Sequence, residues 1–216
     1  MSEKKNTGLV VYVLFTLGLL ITSVGDSLVF KAAIGVSPYE SVQMSISYLT
    51  GINVGTIAIV CHLAFVAGQL LLLRRMTFSL LLQIPVSFIQ GSIVNLIVYT
   101  VFGNLEPSYP VRVLFLLGGI CLIAIGIGIM VWTNVTVFPL EGFCKVLSDR
   151  KQYRFEKVRQ VSDIVFLSLS LLATFLFHLP FAVREGTVIS ALIFSPMLGI
   201  VIKFLYGSFR AVCQNP

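Results

Sequence analysis

Long apolar runs separated by short polar stretches set the pattern of this chain. Runs of about the length a bilayer crossing requires, roughly 20 residues, lie at about 9–30, 54–73, 77–102, 111–132, 159–180 and 186–207. Each predicts a transmembrane helix. After the first run, and again after the fourth, comes a less apolar stretch that opens on proline: Pro38-Tyr39-Glu40 and Pro139-Leu140-Glu141. Proline suits the first helical turn, where its fixed φ is already helical and its missing N–H would have no partner. Each stretch therefore predicts a short helix, over 38–50 and 139–149, too short to span. The first run has no small-residue cleavage site after it and is read as a retained helix.

The two prolines belong to a longer recurrence. Gly18, Gly25, Val36, Pro38, Glu40 and Ser47 meet Gly119, Gly126, Val137, Pro139, Glu141 and Ser148, each 101 positions later and without a gap. Gly, Pro and Glu are not what an apolar segment repeats by default. The third runs correspond more loosely, Ser79, Ser87 and Gly91 facing Thr187, Ser195 and Gly199 once about seven extra residues are allowed. The expected fold is thus an all-α integral membrane domain over 1–216, built from two three-helix repeats at about 8–104 and 110–210. Three crossings per unit make the second unit upside down relative to the first, related by a pseudo-two-fold axis in the membrane plane. Inverted repeats of this kind are common in transporters.

Composition agrees with the class: 57% of residues are hydrophobic, only 11% are charged and the mean hydropathy is +0.98, whereas about a quarter of the residues of a soluble domain are charged. The net charge of +6 is a topology signal rather than a nucleic-acid patch. With the N-terminus inside, Lys4, Lys5, Arg74, Arg75, Lys145, Arg150, Lys151, Arg154, Lys157, Arg159, Lys203 and Arg210 are cytoplasmic, and only Lys31, Arg112 and Arg184 are outside. This positive-inside bias places both termini in the cytoplasm and gives the lipid bilayer as the first partner. Tyr12, Tyr48, Tyr99, Trp132, Tyr153 and Tyr206 fall near predicted helix ends, as an aromatic belt requires. Cys61, Cys121, Cys144 and Cys213 show neither a disulfide framework nor paired metal spacing.

Candidate chemistry lies in the acidic residues. Glu40 and Glu141 stand one turn into the two short helices. Glu40 has a structural account, because Ser37-Pro38-Tyr39-Glu40 is a capping box. For Glu141 that account is poorer, since Phe138 stands at the capping position and has no oxygen to contribute. If the short helices dip into the membrane, the glutamates approach the midplane from opposite sides, where a carboxylate costs about 2.5–3.5 kcal/mol and takes up a proton or pairs with a cation. If they lie flat, the glutamates are solvated caps. Asp26 in the first run has no local partner, because Lys31 is off its face. Asp163 can pair with Arg159 one turn earlier. Gln83, Ser87 and Gln90 form a polar stripe around Pro85, read either as interhelical hydrogen bonding or as a pathway lining with a helix break; Pro196 suggests a matching break. Asn134, ahead of Pro139, either lines the same site or satisfies a helix end. The paired glycines read as close helix packing. His62 and His178 are isolated and given no ligand role.

Several of these segments resemble the YczE/YyaS/YitT-like family of bacterial polytopic membrane proteins. Gly35-Val36-Ser37-Pro38-Tyr39-Glu40 is similar to its Gly-x-Gly-Pro-aromatic-Asp segment, and Gly51-Ile52-Asn53-Val54-Gly55-Thr56 to the Gly-x-x-x-Gly-Thr that follows. Pro139-Leu140-Glu141-Gly142 resembles a second Pro-x-Asp-Gly, and the stretch from Gly186-Thr187 to Ser195-Pro196 a Gly-Thr-aliphatic run ending in Gly-Pro. Glu stands for Asp at both acidic positions, and Phe138 and Ser195 stand for glycines. The resemblance implies a bacterial inner-membrane protein of a family without a settled biochemistry, so the functional step rests on the inverted repeat and the paired carboxylates.

The expected function is a proton- or cation-coupled secondary transporter of a small solute, alternating access between the repeats. The candidate site is Glu40, Glu141, Pro38, Pro139, Asp26, Gln83, Gln90, Asn134 and Asp163. The alternative is a membrane-embedded substrate-binding or regulatory subunit of a larger transport system. No His-rich cluster, serine nucleophile motif or acyltransferase-like His/Asp pair appears, so neither an enzyme, a metal site nor a cofactor is expected. A homodimer and a partner membrane subunit both stay open.

Overall fold

The computed structural model describes residues 8–213, without the side chains of Glu156, Ser195 and 206–213. Lys4 and Lys5 lie outside the described residues, as do the side chains of Ser195, Tyr206, Arg210 and Cys213. All regular structure among the described residues is helical: α1 (Gly8–Ala32), α2 (Pro38–Thr50), α3 (Val54–Leu73), α4 (Phe78–Asn95) continued by a π-helical turn (Leu96–Val101), α5 (Tyr109–Thr133), α6 (Pro139–Lys151), α7 (Phe155–Phe177) and α8 (Glu185–Cys213). Six helices are long and apolar enough to cross a membrane: α1, α3, α4 with its π turn, α5, α7 and α8. The 13-residue helices α2 and α6 are about 20 Å long at 1.5 Å per residue, short of the ~30 Å hydrocarbon layer.

Local chemistry explains the helix ends. Proline opens both short helices. Each is closed by a residue in the left-handed region, Gly51 at φ 71° and Gln152 at φ 56°. Beside each stop a serine hydroxyl holds the departing chain, Ser47 donating to the carbonyl of Ile52 at 2.6 Å and Ser148 to that of Tyr153 at 2.7 Å. Asn53 makes no side-chain cap on α3. Its orphan N–H groups are instead taken by the neighbouring hairpin: Val54 donates to the Tyr99 hydroxyl at 3.0 Å and Gly55 to Asn95 Oδ1 at 2.9 Å.

Helix boundaries repeat with the sequence stride. The starts of α1 and α5, of α2 and α6, and of α3 and α7 are each 101 residues apart, and those of α4 and α8 are 107 apart. The non-glycine left-handed residues after α1 and α5, Ala33 and Asn134, are separated by the same 101.

The helices α1 and α5 pack along their length and run antiparallel, since Gly18 lies against Gly126 and Gly25 against Gly119. A Cβ on Gly25 would stand 2.8 Å from the Gly119 carbonyl oxygen, and one on Gly119 would stand 2.8 Å from that of Gly25. The glycines are therefore packing residues. Around this crossing α1 contacts α4, α5 contacts α8, α2 contacts α7 and α6 contacts α3. Each short helix thus leans on a span from the other half of the chain.

Two apolar clusters sit at opposite ends of the α1–α5 pair. One holds Phe15, Leu19, Met130 and Phe138; the other holds Val29, Phe30, Leu116 and Ile120. Between Leu19 and Val29, α1 buries Thr22, Ser23, Asp26 and Ser27. The centre of the bundle is polar and its ends are apolar.

Of the two readings of the α4 stripe, the one with a helix break at Pro85 is not met, nor is the matching break suggested at Pro196. Both α4 and α8 continue through their prolines. Proline forfeits one helix hydrogen bond, but Gln83, Val86, Ser87 and Gln90 are packed on both sides of Pro85 and hold the helix together. The irregularity of this span lies eleven residues after Pro85, in the π turn that starts at Leu96.

Candidate functional site

A cavity of about 480 Å³ opens at the polar centre of the bundle, within the 300–1,000 Å³ of small-molecule sites. Its wall includes residues 101 positions apart in sequence: Asp26 and Ile127, Tyr39 and Leu140, Glu40 and Glu141, Ala58 and Arg159, His62 and Asp163. The two Pro-x-Glu helices bring their first turns to one space.

The two glutamates are held differently. In α2, Ser37 caps the helix by accepting from the Glu40 N–H at 3.4 Å, and the Glu40 carboxylate accepts from the Ser37 N–H at 2.9 Å. The predicted capping box is formed. Burial raises the Glu40 carboxyl above its ordinary value, against the lowering effect of the two Ser37 hydrogen bonds. Its second neighbour is Asp26 on α1. The two carboxyl groups line the same cavity and act on one another electrostatically, and adjacent carboxylates do not readily both ionise. Asp26, 6% exposed, also accepts from Gln90 Nε2 of α4 at 2.6 Å. This is the partner absent from its own helix.

In α6, Phe138 provides no cap, and Glu141 turns to a cation. Arg159 lies between two carboxylates, 3.7 Å from Glu141 and 3.4 Å from Asp163. The Asp163–Arg159 pair expected from the one-turn spacing is present.

Five buried polar atoms among the described residues have no hydrogen-bond partner: the Tyr39 hydroxyl, His62 Nδ1, Gln90 Oε1, Arg159 Nη1 and Asp163 Oδ1. All five residues line this cavity. Buried polar groups are ordinarily satisfied, because leaving one unpaired costs about 1–3 kcal/mol. Two of the five, Arg159 Nη1 and Asp163 Oδ1, are ion-paired; the other three belong to Tyr39, His62 and Gln90, on three different helices around the cavity. Tyr39 and His62 stack at 5.8 Å, and His62 faces Phe138 at 6.2 Å, forming an aromatic row along the cavity.

The chain matches a family of unknown function (DUF6198) over residues 9–203. It is a DUF6198 member. The uncharacterized protein YyaS of Bacillus subtilis (strain 168) is 24% identical to it over 162 residues, which cover 74% of this chain and 80% of YyaS. No solved structure matches. The resemblance to YyaS expected from the motifs is therefore met within a family whose activity is unassigned.

Of the candidate residues in this DUF6198 member, Glu40, Glu141, Pro38, Asp26, Gln90 and Asp163 line the cavity, whereas Pro139, Gln83 and Asn134 do not. Gln83 follows its structural reading. It accepts from Gln69 Nε2 at 2.7 Å, and the same Nε2 reaches the Pro139 carbonyl at 3.0 Å. This pair ties α3 and α4 to the first turn of α6 and fills the place a side chain on Gly142 would need. Asn134 ends α5 at φ 50°. Sequence reasoning passed over His62 and Tyr39 and treated Arg159 as a cytoplasmic charge and as a partner of Asp163. The stride of 101 was the available signal, since it pairs His62 with Asp163 and Tyr39 with Leu140 beside the two glutamates.

Proposed function

We propose that this protein is a secondary transporter of a small solute, coupled to protons or cations, in which two inverted repeats alternate the exposure of the central cavity. The observation that carries the reading is a central cavity lined by four carboxyl groups, one guanidinium and buried polar atoms without hydrogen-bond partners, enclosed by helices long enough to span a bilayer. Such a lining is costly in a core and useful in a solute site.

The arrangement of the ends supports alternation. Phe15, Leu19 and Met130 of one apolar cluster lie 101 positions from Leu116, Ile120 and Val29 of the other. Equivalent plugs at the two ends suit a molecule that opens first one and then the other as the repeats rock about the α1–α5 glycine crossing. Glu40 and Glu141 enter from the two sides, with the N- and C-termini in the cytoplasm of a bacterial cell.

Solute-driven proton movement in liposomes tests the proposal, using purified protein beside Glu40→Gln and Glu141→Gln. Solute-dependent flux in the wild type, lost in both variants while they stay folded, is the expected result. Solute binding without flux for any solute overturns it in favour of a membrane-embedded binding subunit.

A further inference from the structure

We propose that the cavity takes a small organic cation, an ammonium or guanidinium compound with an apolar body, bound at Asp26 and Glu40, which both line it, in exchange for a proton held by that pair. The inference deepens the transporter reading and rests on it for the transport step; the binding step stands apart from it.

Charge is the first argument. Four carboxyl groups face the cavity, from Asp26, Glu40, Glu141 and Asp163, against one guanidinium, Arg159. Arg159 is already placed between Glu141 and Asp163, so that trio keeps a negative charge. The Asp26–Glu40 pair keeps another after it takes one proton. An anion entering here meets unbalanced carboxylates at both poles, whereas a cation balances them.

Shape of the lining is the second. Beside the acid pair stands the row of Tyr39, His62 and Phe138, and ring faces attract organic cations, quaternary ammonium groups above all. His62 is 4% exposed and lines the cavity with its ring stacked on that of Tyr39. Among the described residues no three His, Cys, Asp or Glu side chains converge as ligands of a metal ion. The wall suits a cation recognised by charge and ring faces.

Exchange follows from the pair. Holding one proton, Asp26 and Glu40 carry one negative charge. A monovalent cation between them favours ionisation of both, the O–H bond breaks, and the proton passes to water on the side to which the cavity is open. One cation enters as one proton leaves. The titratable groups facing the pair are Tyr39 from α2, His62 from α3, Glu141 from α6 and Arg159 and Asp163 from α7, with the Cys61 thiol near Tyr39 and the Cys144 thiol near Arg159. The α4 contribution is the Gln90 amide, and α5 and α8 contribute no titratable group to the wall.

Calorimetry and proton release on the purified full-length protein test the inference, with tetramethylammonium, choline and guanidinium as probes and glutamate and glycerol as anionic and neutral comparisons. The expected result is binding of a cation with release of one proton, weakened about a hundredfold by Asp26→Asn or Glu40→Gln with the release abolished. Tyr39→Leu loses about tenfold, and Tyr39→Phe, which keeps the ring, recovers most of that loss. Should either acid variant fail to fold, proton release by the wild type and the Tyr39 pair decide. Failure of every cation to bind, binding without proton release, or equal loss in Tyr39→Leu and Tyr39→Phe overturns the inference. Cation binding with proton release but no flux in liposomes upholds it and overturns the transporter reading. Flux of glutamate or glycerol with no cation binding does the reverse.

Discussion

The halves of this chain share a scaffold and differ in chemistry. Their first three helices start 101 residues apart, and their glycines interlock across α1 and α5. At the cavity the matched positions diverge. Asp26 faces Ile127 in the alignment, Ser37 faces Phe138, Ala58 faces Arg159 and His62 faces Asp163. One half therefore ends in a capped glutamate beside a second acid, and the other in an uncapped glutamate beside an arginine. The stride preserves what packing demands, because a changed helix length or a side chain at the crossing would disturb both halves at once. Side chains that face a cavity carry no such constraint, and there the halves differ.

The shared scaffold is most severely tested at the glycine crossing. Gly25→Val and Gly119→Val each place a side chain against backbone of the other helix, Cβ alone standing 2.8 Å from the opposing carbonyl oxygen. Each should destabilise by about 3 kcal/mol or more, read by thermal unfolding in detergent. Gly118→Val, whose Cβ meets nothing within 4 Å, should stay within about 1 kcal/mol of wild type. Unequal losses at Gly25 and Gly119 would break the equivalence of the halves.

The divergent chemistry gives the next effect. Arg159→Gln leaves Glu141 and Asp163 without their cation and should cost about 1–3 kcal/mol, below a fully buried pair because the side chains are 26–33% exposed. Combining it with Glu141→Gln should restore part of the loss, which a double-mutant cycle measures. Strict additivity would show that Glu141 and Arg159 do not interact.

Ser37→Ala should cost about 1 kcal/mol by removing the α2 cap. Glu40→Gln should change stability by less than about 0.5 kcal/mol, because glutamine closes a capping box as glutamate does, while solute flux is lost. A large stability loss in Glu40→Gln with flux intact would reduce Glu40 to a cap.

The smallest effect is in pH. The folded state raises the Glu40 carboxyl, so it binds that proton more tightly than the unfolded chain. Its stabilising contribution is fully present below the ordinary carboxylate range and falls as the pH rises through that range to the raised value. Glu40→Gln should flatten this slope in unfolding measured from acid to neutral pH. An unchanged slope would assign it to other carboxyl groups.

The sequence by itself determined the class, the six spans and the short helices that open at Pro38 and Pro139. Apolar length and proline at a first turn are local signals, and a bilayer leaves the backbone little alternative to helices. It also marked Glu40 and Glu141, and it foresaw the Asp163–Arg159 pair because both residues share one helix. What only the tertiary structure decided was which side chains meet across helices. Asp26 finds Glu40 and Gln90 on two other elements, His62 joins the cavity lining, and Gln83 finds Gln69 and so becomes an anchor. The continuity of α4 through Pro85 was settled by packing on both sides of the proline. Those outcomes depend on how helices cross, and the crossing is set by Gly18, Gly25, Gly119 and Gly126, residues far in sequence from the side chains they bring together.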